Sequence, residues 1–211
     1  MEVKWLGHAS WMIKTGEKVI YIDPYEGEYR EKAGIIVSTH SHMDHCKPEK
    51  IKSVTTQDTV FIAPKDCATK YGSQVTSLKP GDKIRVGLVE IEAVEAYNFK
   101  RFRSPEQPFH PKGLGVGYLI HAEGKTIYHT GDTDLIPEMK AITNIDVLLI
   151  ASGGTYTMDN DEAADAVLLI KPKLAIPMHI WDTDPNIMKK KVEAASDIKV
   201  QVLKPGESIK L

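Results

Sequence analysis

The segment Thr39-His40-Ser41-His42-Met43-Asp44-His45-Cys46 places three imidazoles and a carboxylate within six positions. Burying such a group unpaired is costly, and a solvated loop has no use for it. Imidazole with carboxylate is a donor set suited to zinc, iron or manganese rather than calcium. His40 and His42 lie two apart and can point the same way from an extended backbone. Asp44 and His45 come as the chain turns toward Pro48 and reach a neighbouring position. Two adjacent pairs of ligands point to two divalent ions a few ångströms apart. Such a site needs further donors, and Gly131-Asp132 and Met178-His179 offer them. Alone, an Asp in a Gly-Asp turn is ordinarily a turn residue, and a His after a strand is ordinarily structural. Beside the histidine-rich segment they become a ligand set drawn from three places.

Strand ends must hold these residues. Residues 34–38 (Gly-Ile-Ile-Val-Ser) are an apolar run typical of a strand covered on both faces, so the histidine-rich segment opens where a strand stops. Asp132 follows a strand expected at 126–128, and His179 follows one at 174–177. Further β-type runs fall at 3–6, 11–14, 19–23, 60–63, 83–86, 89–96, 115–120 and 147–150. Helices are expected at 48–54, 65–71, 135–142 and 185–195, with Lys189-Lys190-Lys191 on a solvated face. The clearest helix starts at the N-cap Asp159, with Glu162 completing a capping box and Lys171-Pro172 stopping it. Leu78-Lys79-Pro80-Gly81-Asp82-Lys83-Ile84 is echoed by Leu203-Lys204-Pro205-Gly206-Glu207-Ser208-Ile209. Pro then Gly at the turn's centre specifies type II, so both read as strand–turn–strand units. The pattern fits an α/β chain, a four-layered αββα sandwich in one domain, residues 1–211, of two pseudo-duplicated halves.

Taken in chain order, His40-x-His42-x-Asp44-His45, Gly131-Asp132 and His179 resemble the metallo-β-lactamase superfamily, over nearly the whole chain. Leu6-Gly7-His8-Ala9-Ser10, Ile22-Asp23-Pro24, Tyr128-His129-Thr130-Gly131-Asp132-Thr133 and Pro177-Met178-His179 are similar to small metal-dependent hydrolases related to L-ascorbate-6-phosphate lactonase. The resemblance implies two mixed sheets with helices outside and a dinuclear site between the sheets. It implies that His40 and His42 hold one metal with a third His, that Asp44, His45 and His179 hold the other, and that Asp132 bridges. The third His is expected to be His110, in Phe109-His110-Pro111. Where relatives often carry that His directly after a strand, this chain has Asn98, so an incomplete or Asn98-assisted site is the alternative. His129, three residues before Asp132, can support a ligand from behind. His8 either lines the site or is structural, and Asp23 either orients a ligand by hydrogen bonding or simply ends a strand.

Two divalent ions, zinc first with manganese or iron as alternatives, lower the pKa of a shared water and supply hydroxide near neutral pH. Asp132 can orient that hydroxide and Asp44 can take its proton. The expected activity is metal-dependent hydrolysis of a small molecule, a lactone or phosphoester. Residues 98–113 are the longest non-periodic stretch and carry Lys100, Arg101, Arg103 and Lys112 around Phe102 and Phe109. They are expected to form a lid whose cations, Arg101 and Arg103 above all, draw in an anionic substrate.

The 27 Lys and Arg against 29 Asp and Glu leave a formal charge of −2 over 211 residues, with no basic stripe. Nucleic acid is therefore not the expected partner. A superfamily nuclease is the second reading, and a redox diiron or non-enzymatic binding protein the third. The 42% hydrophobic content excludes general disorder. No apolar run approaches the roughly 18–20 residues that span a bilayer, and no export signal opens the chain. Cys46 and Cys67 are too few for a disulfide scaffold and read as reduced, packed thiols. A cytoplasmic protein is expected, with a homo-oligomer left open.

Overall fold

Apolar runs in this chain bury both of their faces. In the computed structural model, which describes residues 1–16, 18–71 and 74–211 without the side chains of 69–71, Ile35 and Val37 face one apolar cluster while Ile36 faces another. The chain begins with strands β1 (Glu2–Gly7), β2 (Ser10–Thr15), β3 (Lys18–Ile22) and β4 (Ile35–Val37), then helix α1 (Pro48–Val54), β5 (Val60–Ala63), α2 (Lys65–Tyr71) and β6 (Val75–Ser77). The second half runs β7 (Lys83–Val86), β8 (Val89–Ala96), a hairpin of β9 (Phe102–Ser104) and β10 (Gln107–Pro108), β11 (Gly115–Ala122) and β12 (Lys125–His129). It continues through β13 (Val147–Ala151), α3 (Asn160–Ile170), β14 (Leu174–Met178), α4 (Asn186–Ala195), β15 (Lys199–Val200) and β16 (Ser208–Lys210).

Among the described residues these strands form two seven-stranded sheets, ordered β16-β1-β2-β3-β4-β5-β6 and β15-β14-β13-β12-β11-β8-β7, plus the hairpin. In each sheet an antiparallel meander passes into parallel strands, the later of which are joined through helices. Trp11, Ile13, Ile22, Ile91, Tyr118 and Leu149 belong to the core between the sheets. Tyr21, Ile36 and Phe61 pack outward with Ile51 and Val54 of α1, and Leu148 and Ile150 pack outward with Val167 of α3 and Val192 of α4. The layers are helix, sheet, sheet, helix, as the sequence led us to expect. The two Leu-Lys-Pro-Gly turns lie where the chain changes sheet: Asp82 N–H donates to Lys79 O at 3.0 Å between β6 and β7, and Glu207 N–H to Lys204 O at 2.9 Å between β15 and β16.

One helix expectation is corrected. Residues 135–142 contain only a 3-10 turn, Pro137–Ala141, because Ile136 is still extended and Ile142 N–H closes on Met139 three residues back. β6, β9, β10 and β15 escape sequence reading because two or three residues carry no period. The Asp159 cap holds, with Glu162 N–H donating to Asp159 Oδ1 at 2.9 Å. The Glu162 carboxylate turns away from the capping box to Lys100 and Arg101.

That diversion anchors the segment between β8 and β11. Buried Asp134 accepts from Phe99 N–H at 2.8 Å, Lys100 N–H at 2.7 Å, Asn98 Nδ2 at 3.1 Å and Arg101 Nη1 at 2.6 Å. Asp134→Ala should cost ~3 kcal/mol, since it strands a largely buried guanidinium and two backbone amides. Urea unfolding measures this; a loss under about 0.5 kcal/mol would remove Asp134 as the anchor.

Candidate metal centre

The carboxyl ends of β3, β4, β12 and β14 lie at one rim of the sandwich, and each is followed by a polar residue: Asp23, His40, Asp132 and His179. Parallel pairing sets Ile22 beside Val37 and, through β13, sets His129 level with Ile176, two residues before the end of β14. The β1–β2 turn adds His8, whose backbone carbonyl accepts from His179 N–H at 3.1 Å. His110 comes from the anchored segment after β10. A bond from Val116 N–H to Thr39 O, 2.9 Å, ties the two sheets together beside the histidines.

Each of three histidines has one ring nitrogen fixed from behind. A carboxylate only accepts, so His45 Nδ1–H donates to Asp23 Oδ2 at 2.7 Å and its Nε2 faces the site. Thr39 donates to both Asp23 oxygens, from N at 2.7 Å and Oγ1 at 2.8 Å, so its hydroxyl is left to accept from His40 Nδ1 at 3.0 Å. Asn98 points its amide nitrogen at Asp134, and its Oδ1 accepts from His110 Nδ1 at 2.7 Å. Asn98 therefore stands behind His110, and His110 is the group that reaches the cluster. Such backing sets the tautomer that presents a lone pair to a metal. His129 does not touch Asp132; its Nε2 donates to Ala9 O at 3.0 Å and its Nδ1 accepts from Gly131 N–H at 3.1 Å, bracing the turn.

The free nitrogens converge. His42 Nδ1 is 3.0 Å from His40 Nε2 and 3.2 Å from His110 Nε2. Asp132 Oδ2 is 3.2 Å from His179 Nε2, 3.4 Å from His45 Nε2 and 3.5 Å from His110 Nε2. Among the described residues, Asp132 Oδ1, His45 Nε2 and both His179 ring nitrogens are buried without a hydrogen-bond partner. An unsatisfied buried polar group costs about 1–3 kcal/mol, and a cation placed among these satisfies several together. Among the described residues, three sets have donor atoms within 4.8 Å of one another: His40, His42 and His110; His8, Asp44, His45 and His179; and His40, His45 and Asp132. Imidazole and carboxylate in this arrangement fit a divalent ion of the zinc, iron or manganese kind.

Electrostatics agree. Burial first, and the charge of His45 second, hold His40 well below the usual imidazole range. Burial pushes His110 down to about 4 against the pull of Asp132, and it lowers His42 as well. Neutral imidazole is the ligating form. Burial opposes charge on His45 too, but Asp132 and Asp23 outweigh it and raise its pKa well above the ordinary value. Burial likewise opposes ionisation of Asp132 and Asp44. The charges of His179 and His45 prevail at Asp132, and the His8 hydrogen bond (3.2 Å) with the charge of His45 prevails at Asp44, so both carboxyls titrate well below their usual range.

The cluster floors an open cleft of about 470 Å³. Arg103 lines it, and Arg101 does not. Arg101 pairs with Asp134 and Glu162 and donates from Nε to Gly154 O at 2.7 Å. Lys100 is held by Glu162 at 2.6 Å and Lys112 by Glu138 at 2.7 Å. The expected cationic lid thus reduces to Arg103, because the other cations neutralise acids that fasten the segment. Sequence reading assigned no role to Thr39, Asp134, Tyr156 or Trp181. Thr39 adjoins His40 and Asp134 lies two past Asp132, which was the only available signal; Tyr156 and Trp181 had none.

A family model described as the beta-lactamase superfamily domain matches residues 2–179. The chain is 33% identical over 231 residues to a UPF0173 metal-dependent hydrolase of Pelotomaculum thermopropionicum, covering 100% of each. It is 31% identical to one of Archaeoglobus fulgidus, covering 99% of this chain and 98% of that one. A crystal structure of a Parabacteroides distasonis protein shares 32% identity at a TM-score of 0.90, covering 97% of this chain and 93% of that one. Igni18, a metallo hydrolase of Ignicoccus hospitalis, shares 28% identity at 0.81, covering 99% and 97%.

A Cβ at Gly153 would stand 2.2 Å from His179 O and 2.7 Å from Trp181 Cδ1. Gly153→Ala should therefore destabilise the protein by about 1–3 kcal/mol and lower its metal content. Thermal unfolding with elemental analysis checks both; parent-like values would show that the His179 backbone can yield.

Proposed function

The chain belongs to the β-lactamase superfamily and, within it, to the UPF0173 metal-dependent hydrolases, and from that premise we propose that it hydrolyses a small anionic substrate, a lactone or phosphoester, at a dinuclear centre. The observation that carries this reading is the convergence beneath the cleft of buried atoms of Asp132, His45 and His179 that have no hydrogen-bond partner among the described residues. In this reading His40, His42 and His110 hold one divalent ion, Asp44, His45 and His179 hold the other, and Asp132 lies between them. Zinc is the first candidate, with manganese or iron as alternatives. Bound there, two divalent ions polarise a substrate oxygen and lower the pKa of water.

The chain's own residues do the rest. Asp23, Thr39 and Asn98 fix the imidazoles from behind, so no reorganisation is needed when charge develops. Asp44 faces the cleft with His8 Nε2 at 3.2 Å from its Oδ2. A carboxylate held at low pKa is a weak base, so Asp44 would hold the proton taken from the attacking water only briefly and give it to the substrate's leaving oxygen. Arg103 at the cleft wall receives the anionic group of the substrate. The sequence resemblance read in Leu6–Ser10 and Tyr128–Thr133 to relatives of L-ascorbate-6-phosphate lactonase puts a phosphorylated lactone first among the substrates to try. Two further parts of the reading are a cytoplasmic site of action, supported by two buried cysteines, Cys46 and Cys67, that are not joined in a disulfide, and a pair of duplicated halves, supported by the equivalent sheets.

Elemental analysis of protein purified without chelator should find about two ions per chain, fewer in His110→Ala, and fewest in Asp132→Ala. Metal near zero that added zinc, manganese or iron does not restore would overturn the reading. Chelation should abolish hydrolysis and lower the melting temperature, both recovering on metal addition. Arg103→Gln should raise KM about tenfold for carboxylate- or phosphate-bearing substrates and leave neutral ones unaffected, measured by initial rates. Equal KM changes across charges would remove Arg103 from anion recognition.

A further inference from the structure

The cleft has an aromatic wall that the hydrolytic chemistry leaves unused. Phe109 and Tyr156 meet edge to face at 4.8 Å and 85°, and Tyr156 continues to Trp181 at 6.1 Å. Trp181 in turn stands edge-on to His179 at 5.7 Å and to His8 at 5.0 Å, so the wall runs directly into the His/Asp floor. Trp181 is 53% exposed and Tyr156 37%, although both line the cleft. Large aromatic surface left in water beside a reactive centre usually marks a binding surface.

Backbone strain points the same way. Trp181 has a φ of +46°, the left-handed region that a bulky side chain rarely adopts. Thr183, whose N–H and hydroxyl both donate to Ile180 O, at 2.9 and 2.6 Å, closes the turn that imposes it. Gly153 completes the arrangement, since any Cβ there would meet the indole. Strain of this sort persists where the surroundings over-determine it, and it concentrates at ligand sites. Here its result is an indole presented to the cleft rather than packed into the core.

The rings meet at 85° and 57°, and a further planar ring can join them in the edge-to-face or offset contacts that aromatic pairs prefer. Arg103, over the Phe109 ring at 5.9 Å, places positive charge at the end of this wall. We propose that the substrate of this site carries an aromatic ring, seated on Phe109, Tyr156 and Trp181, with its anionic group toward Arg103 and its scissile bond over Asp132. The proposal rests on the hydrolase reading above and adds the substrate's non-reacting part.

Non-hydrolysable phosphonates separate the two. Titration calorimetry on zinc-reconstituted protein should be run with methylphosphonate, benzylphosphonate and cyclohexylmethylphosphonate. The last two have equal anions and similar apolar bulk, one planar and one puckered. Benzylphosphonate should bind about three- to tenfold tighter than the cyclohexyl analogue. That preference should vanish in Trp181→Leu and shrink in Tyr156→Leu. Methylphosphonate, too small to span the wall, reports whether each variant keeps its anion-binding floor. Equal or tighter binding of the cyclohexyl compound overturns the aromatic assignment alone, as does an unchanged preference in both variants. Failure of all three phosphonates to bind the metal-loaded parent overturns this proposal together with the hydrolase reading.

Discussion

A carboxylate withdrawn from water among imidazole lone pairs has to find positive charge close by or surrender its own. Asp132 is in that position, 5% exposed, with three histidine nitrogens within 3.5 Å. Asp23 and Asp44 add two more carboxylates around His45. Either a proton on His45 or a bound cation answers the demand, which explains why His45 is raised while its neighbours His40 and His110 are held neutral. Metal binding and protonation therefore compete for the same few cubic ångströms. Much of the surrounding structure can be understood as the means of keeping these groups together.

Holding mutually repelling groups in place requires rigid supports. Two sheets covered by helices provide them, and the residues of the His/Asp cluster leave the strands within a residue or a few of the last hydrogen-bonded pair. The cost is visible in the backbone: His8, Asp23, His179 and Trp181 all have φ between 45° and 51°. Each such residue is strained by about 1–3 kcal/mol. Interlocked packing on both sides makes relaxation at any one of them more expensive than the strain itself.

The site draws on both halves of the chain. The first sheet supplies His8, Asp23 and the histidine-rich segment, and the second supplies Asp132 and His179. His110 arrives from outside either sheet and needs its own support, a chain of contacts from Asn98 to Asp134 and from Arg101 to Glu162. Buried ion pairs contribute little net stability compared with apolar packing, but breaking one is costly. This pair therefore serves to place the segment that carries His110 accurately. The same anchoring leaves Arg103 beside the cleft, with no acid paired to it among the described residues.

The donor types were legible in the sequence because metal chemistry restricts them tightly: few arrangements besides a metal centre explain His40, His42, Asp44 and His45 in one short segment. Strands covered on both faces were equally legible, since burial on both faces forces apolar residues at every position, as at 35–37 and 147–151. The Pro-Gly turns announced themselves through local backbone preference, although their place at the sheet crossings did not show. Local order could not reveal long-range pairing. Whether Arg101 or Arg103 faces the cleft depends on Asp134 and Glu162, tens of residues away, and nothing in residues 98–113 distinguishes the two cations. The aromatic wall is assembled from three separate loops, so no spacing encodes it. A sequence carries donor chemistry and periodicity because both act over a few residues. Charge pairing and ring packing act through space, so only the folded chain decided which cation stayed free and which rings faced the cleft.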